Sequence, residues 1–128
     1  MRNALRVGMA GLLAAAMWAG ASAAFASSGD AIAEGNCSMG STWKLKAGPD
    51  NGRLEVEFEV DSNVIGQRWG VRLSDNGTVF FEGVRRTTAP SGSFEVRQFT
   101  ANQAGSDVIL GQAATRSTGE ICQGSVTV

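Results

Sequence analysis

Apolar and polar residues alternate along most of this chain, most plainly in RLEVEFEV at 53–60, where Leu54, Val56, Phe58 and Val60 are separated by Glu55, Glu57 and Glu59. A period of two is that of a strand with one face in a core and the other in water. Six further runs share it, at 42–47, 67–74, 78–86, 93–99, 107–115 and 120–128. Between them stand Pro49-Asp50-Asn51-Gly52, Asp75-Asn76-Gly77, Ala89-Pro90-Ser91-Gly92 and Ser117-Thr118-Gly119, all with the chemistry of tight turns. No convincing helical period occurs after residue 26. The pattern predicts an all-β fold: a seven-stranded antiparallel β-sandwich occupying 37–128.

The first 26 residues follow other rules. Arg2 and Arg6 precede the apolar run GLLAAAMWAGASAA, which ends in the small-residue sites Ala21-Ser22-Ala23 and Ala24-Phe25-Ala26. This reads as a secretory signal peptide over 1–26, cleaved after Ala26, and implies a secreted, extracellular product with no membrane association after cleavage. Residues 27–36 are small and weakly acidic and read as a flexible leader. An exported chain with two cysteines normally oxidises them, so Cys37 and Cys122 are expected to form one disulfide. Closing so long a loop is worth roughly 4 to 5 kcal/mol in the simple chain-entropy picture.

The order of features resembles immunoglobulin and fibronectin type III domains: LEVEFEV as a second strand, Trp69 in RWGVRL as a third, and DVILGQAATRSTGEICQGSVTV as the closing hairpin. The two cysteines depart from the antibody-type pattern, since they would tie the start of the first strand to the last. An exported chain of this size, rich in Ala and Gly, also resembles small secreted actinomycete proteins of unknown function, a likeness that implies no activity. The sandwich resemblance implies that 42–47, 53–60 and 93–99 share one sheet, and that 67–74, 78–86, 107–115 and 120–128 form the other.

Alternation sends Trp43, Leu45, Leu54, Val56, Phe58 and Val60 of the first sheet to the core, with Trp69, Val71, Leu73, Ile109, Ala113, Val126 and Val128 of the second. Phe94 and Val96 join them. On the outside of the first sheet, Lys44, Lys46, Glu95 and Arg97 would flank the three glutamates as a ladder of ion pairs. On the outside of the second stand Arg68, Arg72, Val108, Leu110 and Ile121, together with Phe80 or Phe81, since either hairpin register sets the two phenylalanines opposite Arg72. Arginines beside an aromatic and aliphatics make this face the candidate binding patch.

Composition removes most chemistry. The sequence contains no histidine and no tyrosine, so the commonest general base and transition-metal ligand are missing and no Ser-His-Asp triad can form. Lys44 and Lys46 are the only lysines, both outward. Glutamates spaced along a strand and faced by lysines stay ionised, whereas glycosidase chemistry needs a carboxyl with a raised pKa. The acidic loop residues match no calcium-loop spacing. No catalytic residue, metal site or cofactor is expected. Eleven basic residues against twelve acidic ones give a net charge of −1, so no nucleic acid partner is expected either. The expected function is a secreted, non-catalytic binding module for an unknown extracellular protein or small ligand. The alternative is an inhibitor of a secreted hydrolase acting through an end loop, 87–92 or 101–106.

Overall fold

The computed structural model describes residues 29–128 in full and residues 22–25 as backbone. The remainder of the expected signal peptide lies outside the described residues. Eight strands, β2 (Ala31–Asn36), β3 (Thr42–Asp50), β4 (Arg53–Asp61), β5 (Arg68–Asp75), β6 (Thr78–Arg86), β7 (Ser93–Ala101), β8 (Val108–Ala114) and β9 (Ile121–Thr127), form two antiparallel four-stranded sheets. Their orders are β2-β3-β4-β7 and β6-β5-β8-β9, and a short strand β1 (Ser22–Phe25) extends the first sheet at the β2 edge. The sheets face each other as a sandwich that is broadly immunoglobulin-like, with all seven expected strands present as β3–β9. Asn51-Gly52 and Asn76-Gly77 turn two of the hairpins with positive φ, 54° and 81° in the first and 49° and 87° in the second.

One expectation is overturned. Residues 31–36, read as part of a flexible leader, are β2, paired with β3 from Ala31 opposite Ala47 to Asn36 opposite Thr42. Ala31 and Ala33 are buried. Small side chains give only a weak alternating signal, and it is β3 that supplies the surface on which they bury. The ring of Trp43 explains Gly35: a Cβ there would stand 2.8 Å from the indole.

The core holds the residues that alternation assigns to it. Trp43, Leu45, Leu54, Val56, Phe58, Val60, Trp69, Val71, Leu73, Phe94, Val96, Ile109, Ala113 and Val126 are buried, and Val128 packs against them. Trp69 and Phe94 meet across the sheets with ring centroids 6.3 Å apart. The indole N–H of Trp69 donates to Gln67 Oε1 at 2.9 Å, so the largest buried side chain leaves no donor unsatisfied.

Close approach between the sheets depends on two glycines of the second. Gly111 lies under Phe58, where an added methyl would press on the ring at 3.0 Å, and Gly124 under Trp43, where it would collide with the indole. Cys37 and Cys122 form the expected disulfide, 85 residues apart in sequence, and join the β2–β3 turn to β9. Around it Ser38 N–H donates to the Ile121 carbonyl at 2.9 Å, and Ile121 N–H donates to Ser38 Oγ at 2.9 Å. The buried Glu120 completes the junction by accepting three hydrogen bonds from Met39 and Ser41.

Candidate functional site

Antiparallel register sets outward side chains in rows that run across the strands. On the outer face of β6-β5-β8-β9, one row reads Val84, Gly70, Ala114, Ile121. It is apolar from edge to edge, and because Gly70 carries no side chain the row sags in the middle. The result is an open trough of about 600 Å³, whose lining adds Arg72, Glu82 and Gln112. At its rims Val84 is 51% exposed and Ile121 54% exposed. Such exposure is costly for β-branched residues unless something covers them.

Polar rows flank the apolar one. On one side, Glu82 faces Arg72 and Gln112 faces Gln123. Arg72 grips Glu82 through Nε at 3.0 Å and Nη2 at 2.7 Å, while Gln112 Nε2 donates to Gln123 Oε1 at 3.1 Å. These groups satisfy one another. On the other side Arg68 lies directly opposite Arg86. Arg86 donates to the Gly66 carbonyl at 2.8 Å, and Arg68 has no hydrogen-bond or ion-pair partner among the described residues. Like charges opposite each other on neighbouring strands repel, so positive charge is concentrated one row beyond the trough.

The structure therefore gathers part of the expected patch and disperses the rest. Arg72 and Ile121 line the trough. Arg68 stands one row beyond it. Leu110 and Val108 share the same face but lie past the Gln112 row, Leu110 half-buried opposite Ser74 and Ser125, Val108 opposite Thr127. Phe80 and Phe81 are corrected: a β-bulge at Leu73/Ser74 sets Phe81 opposite Leu73, Val79 opposite Ser74 and Glu82 opposite Arg72. Both phenylalanines are half-buried and pack against the core instead of standing beside Arg72. The arginine that Phe81 does meet is Arg85, 5.1 Å from its ring.

Gly70, Val84 and Ala114 stand outside the patch expected from the sequence, although alternation is able to place them. With the extra residue of the bulge placed at Phe80, Glu82, Val84 and Arg86 fall on one face by simple alternation.

The outer face of the first sheet differs in kind. Lys44, Glu59 and Glu95 form one row, Lys46, Glu57 and Arg97 the next. Arg97 pairs with Glu55 and, at 3.9 Å, with Glu57, whereas Lys46 turns to Asp30 at 3.7 Å. The ladder is thus real at Arg97 but broken at Glu59, which faces another carboxylate. Burial, then the charges of Glu57 and Glu59, push the Glu95 carboxyl above its usual range. Among the described residues no group of three or more His, Cys, Asp or Glu side chains is arranged to hold a metal ion.

Compared with protein-family models, with curated proteins and with solved structures, the chain matches none. Its functional reading rests on the site itself.

Proposed function

We propose that this domain is a secreted, non-catalytic binding module whose ligand sits on the outer face of β6-β5-β8-β9. The observation that carries the reading is the apolar row Val84, Gly70, Ala114, Ile121, hollowed at Gly70, with Arg68 and Arg86 opposite each other in the next row. A ligand suited to it, whether an extracellular protein or a small molecule, combines an apolar group that fills the trough with an anionic group that meets the arginines. The pairing of Arg72 with Glu82 makes a polar border that favours registration over raw affinity.

Amide chemical-shift mapping tests it, with octanoate, octanol and octyltrimethylammonium as probes. The reading expects octanoate to perturb Gly70, Val84, Ala114 and Ile121 most strongly, the cation least, and Ile121→Arg to abolish the response. Perturbation centred on loops 87–92 or 101–106, or none of this face by any probe, would overturn it.

A further inference from the structure

At the end of the sandwich away from the disulfide, Asp75 closes β5 and Asp107 precedes β8. Both are buried, with 2% and 0% of their surface exposed. Neither oxygen of Asp75, nor Oδ1 of Asp107, has a hydrogen-bond partner among the described residues. Asp107 Oδ2 accepts only a long bond, 3.4 Å, from the Gln103 N–H. Two ionised carboxylates cannot persist side by side out of water without a counter-charge. One proton between them removes half the charge and turns a repulsive contact into an O–H···O hydrogen bond.

The carboxyls sit beneath a junction. Asn76 N–H donates to the Val108 carbonyl at 2.9 Å, and Asn76 Oδ1 accepts the Val108 N–H at 2.8 Å. Asn76 Nδ2 reaches the Ser106 carbonyl at 3.1 Å and Gln103 Oε1 at 3.3 Å. The β5–β6 turn is thereby tied to the exposed loop 102–106, and the two aspartates stand where that tie is anchored. We infer that Asp75 and Asp107 share a single proton and so form a pH-sensitive clasp that holds loop 102–106 to the β5–β6 turn.

The electrostatics agree with the geometry. The Asp75 carboxyl is pushed up to about 6, first by burial, then by the neighbouring Asp107 carboxyl, against a smaller opposing contribution from the Gln103 side chain. The charged side chains of the β3–β4 turn, Asp50 and Arg53, are directed elsewhere. Arg53 lies over the Phe99 ring at 3.9 Å, and Asp50 is opposite Arg53 across the β3–β4 turn. β9 contributes Val128, whose oxygen accepts the Asp107 N–H at 2.8 Å and whose N–H donates to the Asp107 carbonyl at 2.9 Å. The turn itself brings Asn76 and Thr78, which carry no charge.

A divalent cation would satisfy the same oxygens, so the test separates it from a proton. Thermal unfolding is followed from about pH 5 to about pH 7.5, in EDTA and in calcium chloride, alongside the carboxyl-carbon NMR titration and amide exchange of 102–106. The clasp predicts a midpoint temperature higher at the acid end by on the order of 5 °C. It also predicts an aspartate carboxyl titrating near 6, no effect of calcium, and loop exchange that quickens at neutral pH after correction for intrinsic rates. Asp75→Asn should flatten the profile, and Asp107→Asn carries the same test if that variant fails to fold. A calcium-dependent rise reversed by EDTA, or an unchanged profile in the variant that folds, overturns the inference.

Discussion

Glu120 and Ser41, 79 residues apart in sequence, are joined twice: the Ser41 hydroxyl donates to Oε1 at 2.6 Å and the Ser41 N–H to Oε2 at 2.8 Å. The Met39 N–H adds a third bond to Oε2 at 2.9 Å. Charge-assisted bonds of this kind are the strong ones, and here one carboxylate satisfies the donors of a turn that belongs to the opposite sheet. Glu120→Ala leaves those donors without a partner in a buried place. The expected loss is about 3 kcal/mol, with Glu120→Gln losing less, measured as the shift of the urea midpoint at constant slope.

Glu120 also sets the acid limb of stability. Burial raises its carboxyl pKa, but the bonds from Ser41 and Met39 more than offset this and hold it below the usual range. Its contribution is therefore complete above the unfolded value of 4.5 and disappears as pH falls through the lower folded value. Asp75 acts with opposite sign: its contribution is complete below 3.8 and is lost as pH rises through about 6. Stability should accordingly peak in mildly acidic solution, between the two limbs. Denaturant titrations across the pH range check this, and Glu120→Gln should remove the acid limb while leaving the neutral one.

Gly124 is expected to tolerate no side chain. Its inward position lies against the six-membered ring of Trp43, which is itself buried and cannot swing away. Gly124→Ala should cost on the order of 2 kcal/mol by overpacking and Gly124→Val more, read from thermal unfolding together with the near-ultraviolet dichroism of the displaced indole.

Replacing both Cys37 and Cys122 by serine should lower stability by about 4 kcal/mol, the value expected for so long a closed loop. The strands themselves should persist under native conditions, since the buried core residues other than Cys122 remain in place. Far-ultraviolet dichroism unchanged from the oxidised protein, with an earlier urea midpoint, is the expected result.

On the outer face of the first sheet, Glu95→Lys should stabilise. The change converts the repulsive Glu59–Glu95 opposition into an attractive one, next to Glu57. The gain is a few tenths of a kcal/mol and should fade as salt is added, which distinguishes it from a packing effect.

The β-sandwich was legible because long runs such as 53–60 alternate without interruption and Asn-Gly pairs mark their ends. Alternation assigns a face only as far as the register is unbroken, and the bulge after Leu73 is where that chain of inference failed. Unbroken alternation sets Phe80 and Phe81 beside Arg72 and passes over the true partner, Glu82, and the true neighbour in the trough, Val84. β2 escaped for a different reason: Ala31, Ala33 and Gly35 are too small to declare a face until Trp43 and Leu45 are seen lying over them. The buried pair of aspartates was hidden by its own chemistry, since Asp75 before Asn-Gly and Asp107 after Gly-Ser look like ordinary turn residues. Only the fold shows that they meet in the dry end of the sandwich.

The junction of β9 with the β2–β3 turn has a bearing on the order in which the molecule can be completed. A polypeptide emerges from its ribosome amino end first, so Trp43, Ser41 and Cys37 are made while the residues at the β9 end that meet them are still to come. Glu120, Cys122 and Gly124 arrive later and together, on β9 and the residue before it. Until then the first sheet is a half-shell with a bare indole and a free thiol, and a single late event supplies its lid, its lock and its covalent seal.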